Sequence, residues 1–316
     1  MTRLPSDKFT APWHDAEPCP CGSGQYFSRC CKVDSWRLPR VATPELSPPL
    51  PATGHAHSGC YMSSTRDCST KISREHYISE AILEEFPTLR IAGVPWHPDD
   101  KFVPYKPSSL TAKILCTRHN AAMSGLDAHA LHSFRAFVEA PRYVTTRLTA
   151  GRAQHHLVSG DALQLWMLKV MAGLYFGGVA AHEGQPLKKS VGIDLEALTR
   201  ALSGEGLDSG AGLYVTQGAG EMMRQTVQVM PYTDIASNRL AGLKVNFGTI
   251  SFETFLSSPP ADAVDRMKAA RRYRPGVLDF NGPARDARIV LSWFDQGLSI
   301  NRLGFEIANP PLEEDM

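Results

Sequence analysis

Apolar positions along this chain change period several times, and the changes divide it into regions. After Asn120, the residues Met123, Leu126, Ala130, Leu131, Phe134 and Phe137 recur at helical spacing, which predicts a helix opening at that residue. Residues 163–175 are apolar on nearly every side, as suits a central buried helix. Residues 194–202 read as another helix, with Asp194 able to cap it. Earlier, residues 71–76 and 112–115 read as short strands. Between them lie a short helix over 78–86, stopped by Pro87, and a proline-broken loop over 87–109. Strand-like runs follow at 212–216, 226–230, 243–247, 249–255 and 288–294. The expected class is α+β.

The same pattern predicts an organisation. Residues 1–38 form a small cysteine-rich unit. Residues 39–54 carry Pro39, Pro44, Pro48, Pro49 and Pro51, a run that resists helix and ladder pairing and reads as an extended linker. Residues 55–140 form a second unit, and 141–316 a further α+β domain of unassigned role. The apolar stretch 162–181 contains Gln164 and Lys169 well inside it, which argues for a buried helix over a membrane span.

Charge narrows the partners. The 316 residues carry a formal net charge of +1, and a nucleic-acid binder is more often basic. One local cluster, Arg266, Lys268, Arg271, Arg272 and Arg274, offers either a phosphate contact or a solvated helix face. The first residues, Met1 to Pro5, lack the apolar core of a signal peptide. With an odd cysteine count, that points to a reducing, cytoplasmic setting, and to metal ligands over disulfides.

The seven cysteines fall into two groups. Cys19, Cys21, Cys30 and Cys31 make one tetrahedral set. Cys60, Cys68 and Cys116 with His119 make another, although His55 or His57 could replace Cys60. Two structural zinc ions are therefore expected, each closed by four protein ligands. The run Pro18-Cys19-Pro20-Cys21-Gly22-Ser23-Gly24-Gln25-Tyr26-Phe27-Ser28-Arg29-Cys30-Cys31 resembles the SEC-C motif. The resemblance implies a zinc-bound docking element with a possible protein partner. It departs from the motif at Gln25 and Phe27, where lysine is common, but neither position is a ligand.

Ser73-Arg74-Glu75-His76-Tyr77-Ile78-Ser79, paired with Leu115-Cys116-Thr117-Arg118-His119-Asn120, resembles the HNH endonucleases in which a zinc supports a ββα-metal fold. By that resemblance His76 is the general base on a water attacking a phosphodiester, a task suited to an imidazole. Glu75 and Asn120 would hold a catalytic Mg²⁺ or Mn²⁺. The substrate would be nucleic acid, DNA first. No asparagine lies between His76 and Asn120, and Ser108 or Ser109 stands where the family has its middle one. Two expectations follow: a metal-dependent endonuclease, or a non-catalytic zinc scaffold that keeps a degenerate HNH fold. Gly173, Gly177 and Gly178 read as close-packing points, and His129 and His132 as residues on an exposed helix face.

Overall fold

The computed structural model describes residues 11–33, 38–96, 101–145, 151–182, 184–217, 227–247, 250–259, 271–295 and 301–306. Strands and helices alternate in a mixed α+β architecture beside a small cysteine-rich region. In chain order, β1 (Ile72–His76), α1 (Glu80–Leu83), β2 (Arg90–Ile91), β3 (Val103–Pro104) and β4 (Thr111–Cys116) lead into α2 (Thr117–Thr145). Then come β5 (Gln154–Ser159), α3 (Gly160–Phe176), β6 (Ala181–His182), β7 (Gln185–Pro186), β8 (Gly192–Ile193) and α4 (Leu195–Leu202). The chain continues with β9 (Gly212–Gln217), β10 (Val227–Asp234), β11 (Arg239–Phe247) and β12 (Ile250–Phe255). It closes with β13 (Arg271–Tyr273), β14 (Val277–Asn281), β15 (Asp286–Ser292) and β16 (Arg302–Glu306).

Two sheets enclose the helices. One runs β10-β11-β12-β9-β13, with β8 beside β11; the other runs β16-β14-β15-β5. Helix α2 packs on β5, β14 and β15, and α3 on β9, β11 and β12. The helices also pack on each other. Helix α3 is buried nearly all round, as its sequence requires, and Ser159 caps it by accepting from the Ala162 amide at 3.1 Å. Asp194 caps α4 in the same way, through the Ala197 amide at 2.9 Å. Among the described residues no helix is long and apolar enough to cross a membrane.

Helix α2 opens at Thr117 rather than at Asn120. Its first amides find a partner outside the helix: the Arg118 amide donates to Ser69 Oγ at 3.3 Å, so the turn begins earlier than side-chain periodicity indicates. The helix also continues through residue 140, and one apolar core runs from Leu46 and Cys60 to Phe305.

Side-chain alternation in the four-stranded sheet explains a second, smaller core. Val158, Ile289 and Leu291 face the main core. Leu157 and Val290, partners in the β5–β15 ladder, point the other way, where Cys19, Phe27, Cys31 and Val41 cover them. The cysteine unit is thus seated on the sheet. The proline-rich segment that follows it is also anchored. The Val41 amide donates to Ser292 Oγ at 2.8 Å, and Arg118 donates to the Pro49 and Pro51 carbonyls. A side chain at Gly125 would meet Pro44 Cβ at 2.8 Å, so glycine is what lets this segment lie on α2.

The basic cluster differs from expectation where it is described. Arg271 and Arg272 lie on β13, a strand, and Arg271 pairs with the fully buried Glu253 at 2.6 Å. Arg274 pairs with Asp295 at 2.7 Å. Arg266 and Lys268 fall outside the described residues.

Candidate metal centres and the His76 hairpin

Both ligand sets converge. The ligand atoms of Cys19, Cys21, Cys30 and Cys31 lie within 4.8 Å of one another, as do those of Cys60, Cys68, Cys116 and His119. A tetrahedral zinc with arms of about 2.3 Å sets its sulfurs about 3.8 Å apart. The Sγ atoms of Cys21 and Cys30 stand 3.6 Å apart, and those of Cys30 and Cys31 also 3.6 Å. The donors fit zinc in both number and spacing.

At the first centre a tight turn does the folding work. The Gly22 amide donates to the Cys19 carbonyl at 3.2 Å, and the Cys19 amide to the Gln25 carbonyl at 2.7 Å. Gly22, with a φ of +83°, takes the left-handed conformation that this reversal needs. Crowding splits the thiols. Hydrogen bonding from Cys31 lowers Cys21 to about 4, whereas burial raises Cys19 to about 11. A divalent cation among them removes that conflict, because a coordinated thiol is deprotonated outright.

The second centre is more deeply enclosed. Cys60, Cys68, Cys116 and His119 are all buried. His119 Nδ1 faces the three sulfurs, at 3.6 Å from Cys60, 3.7 Å from Cys68 and 3.1 Å from Cys116. Its Nε2 meets Thr65 Oγ1 at 3.1 Å, which fixes the ring for coordination through Nδ1. Burial holds the imidazole below the ordinary histidine range, so the ligating neutral form is favoured. Cys60 takes the place in the set that His55 or His57 could have filled. Burial pushes its thiol up to about 12.

This centre ties the start of α2 to the loop before β1. The two strands form an antiparallel hairpin in which Ile72 pairs with Cys116 and His76 with Thr111. His76 therefore lies at the end of the hairpin away from the sulfurs. Its side chain is 23 % exposed, and Glu80 Oε1 stands 3.6 Å from Nε2, too far for a hydrogen bond. That Nε2 is shielded from solvent and has no hydrogen-bond partner among the described residues.

Glu75 is placed otherwise. It is 5 % exposed, and its Oε1 lies 2.8 Å from Lys169 Nζ. Lys169 also reaches Asp127 Oδ2 at 2.7 Å, while Asp127 Oδ1 accepts from Ser79 Oγ at 2.5 Å and Ser79 Oγ accepts from Trp166 Nε1 at 2.8 Å. Burial works against the charge on Lys169, but the Glu75 and Asp127 carboxylates outweigh it and raise its pKa. Asn120, half-buried in the first turn of α2, lies two turns, or about 10 Å, from Asp127. The hairpin thus brings Glu75 to Lys169 and Asp127. Mg²⁺ needs about six oxygen ligands and keeps several waters. An ammonium at 2.8 Å in a buried setting leaves no room for that shell, so the donors at Glu75 do not fit a divalent ion.

Sequence reasoning missed Lys169 and Asp127 as members of this cluster. A lysine inside an otherwise apolar helix was the available signal, because a buried charge must be paired. His129 and His132 are half-buried rather than exposed, and His132 Nε2 contacts the Leu157 carbonyl at 2.9 Å. Gly177 is a close-packing point, since a side chain there would collide with the Tyr77 ring, whereas a Cβ at Gly173 would meet the Tyr77 backbone at an ordinary 3.5 Å. Comparison with known proteins finds no matching family model, no matching curated protein and no matching solved structure.

Proposed function

We propose that the strand–strand–helix unit around the second metal centre acts as an HNH-type endonuclease, with DNA as its first-choice substrate and His76 as its general base. The observation that carries the reading is His76 itself. It ends β1 of a hairpin locked to α2 by a Cys₃His set, and its Nε2 has no hydrogen-bond partner among the described residues. Nε2 is closed to solvent in this conformation and Glu80 Oε1 stands 3.6 Å away, so the reading requires the ring, 23 % exposed, to turn outward before a water or a substrate group can partner it. In the reaction, a proton passes from water to Nε2, the water oxygen bonds phosphorus, and the 3′ oxygen leaves with the pair from the broken phosphorus–oxygen bond and takes a proton from solvent. Zinc is structural in this scheme, since four protein ligands leave no open position. The N-terminal unit, similar to a SEC-C motif, would serve as a protein-docking element, with Tyr26 exposed on its outer turn.

One observation favours a second reading, a non-catalytic scaffold: the ion pair that occupies Glu75. Plasmid nicking by zinc-loaded protein, with and without Mg²⁺ or Mn²⁺, separates the two. The nuclease reading expects nicking that disappears in His76→Ala while zinc content is unchanged. Undiminished activity in that variant, or no cleavage of DNA or RNA by the parent, contradicts it.

A further inference from the structure

The cluster at Glu75 joins three elements that are distant in sequence. Glu75 comes from β1, Asp127 from α2 and Lys169 from α3. The Lys169 ammonium lies between the two carboxylates at 2.8 Å and 2.7 Å, and its side chain is 4 % exposed. Glu75 is sealed to a similar degree, and only Asp127 keeps partial exposure, at 33 %. Ser79 completes the shell by donating to the remaining Asp127 oxygen while accepting from Trp166 Nε1. Two carboxylates facing one point from different elements repel unless a cation sits between them. Here the chain supplies that cation.

We propose that Lys169 is a resident cation that takes the place of a divalent ion between Glu75 and Asp127. Glu75 is then an anchor and not a metal ligand. The ammonium offsets one of the two negative charges, leaves the remainder on the partly exposed Asp127 side, and clamps β1 onto α2 and α3, directly beside His76. Lys169, Glu75 and Asp127 are positioning residues in this account. The inference rests on the proposed nuclease reading only for where an ion would be sought; a nuclease of this form would hold any ion through groups other than Glu75.

Mn²⁺ alone is the probe, since it binds thiolate-rich sites weakly compared with zinc. Binding to zinc-loaded parent, Glu75→Gln, Lys169→Met and the Lys169→Met/Glu75→Gln pair is followed by electron paramagnetic resonance. The expected result is the same Mn²⁺ isotherm for parent and Glu75→Gln, one added equivalent in Lys169→Met, and its loss in the double variant. A Mn²⁺ site in the parent that Glu75→Gln abolishes overturns the proposal, as does a folded Lys169→Met that gains no Mn²⁺. Where Lys169→Met does not fold, the ¹⁵N-labelled parent decides. Its buried ammonium resonance should persist unshifted through a Mg²⁺ titration, and displacement of that signal by Mg²⁺ refutes the idea. A failed nicking assay would leave these outcomes unchanged, so the two readings fall separately.

Discussion

The two candidate metal centres offer nearly the same ligands in different settings. At the first, Cys21 and Cys30 are partly exposed, and the apolar support is a patch of its own around Phe27, Val41, Leu157 and Val290. At the second, every ligand is buried, and its three cysteines belong to the main core beside Met123 and Leu126. The first centre can therefore be regarded as a local fastening of a short segment. The second would be a joint of the body, because its ligands come from the loop before β1, the end of β4 and the first turn of α2. A four-ligand site contributes to folding in both cases, but what it holds decides how far its loss spreads.

The comparison can be broken most directly at the second centre. Cys116→Ser should reduce zinc content by one equivalent and destabilise the whole body, with metal-coupled folding free energy on the order of 10 kcal/mol at stake. Circular dichroism and thermal melting check this; an unchanged melt would show that the centre is not a joint. Cys30→Ser should also release one zinc, with a smaller effect. Of the body's residues in the small core, only Leu157 and Val290 lose cover. Full burial of such a side chain is worth roughly 1.5–3 kcal/mol. For two such side chains a loss of about 3–6 kcal/mol is therefore the expected size in urea denaturation. Hydrogen exchange should localise it to residues 11–33 and the outer face of β5 and β15. Global unfolding in Cys30→Ser would make the two centres equivalent and end the distinction.

Much of the candidate site was legible because local chemistry set it. Cysteine spacing assigned the first ligand set, and with the Cys116-x-x-His119 turn it assigned the second, where His55 or His57 stood open in place of Cys60; strand alternation with proline punctuation marked β1 and β4 to within a residue or two. The apolar run of α3 and the Asp194 cap of α4 were equally local signals. What stayed hidden depends on distant partners. Glu75 beside His76 looks like a metal ligand until Lys169 arrives from another helix. The β5 sequence, Gln154-His155-His156-Leu157-Val158-Ser159, is polar in its first half and becomes a strand through parallel pairing with β15. The proline-rich segment reads as free linker because prolines cannot join a ladder. An extended chain can still lie along a surface, and Val41 and Leu46 are buried there.

The account rests on two four-ligand zinc centres of unequal structural weight, and the metal content of the purified parent tests it most directly. Two zinc equivalents per chain are predicted, one for each cluster. One equivalent or none would contradict the ligand assignment, and with it the hairpin lock on which the reading of His76 depends.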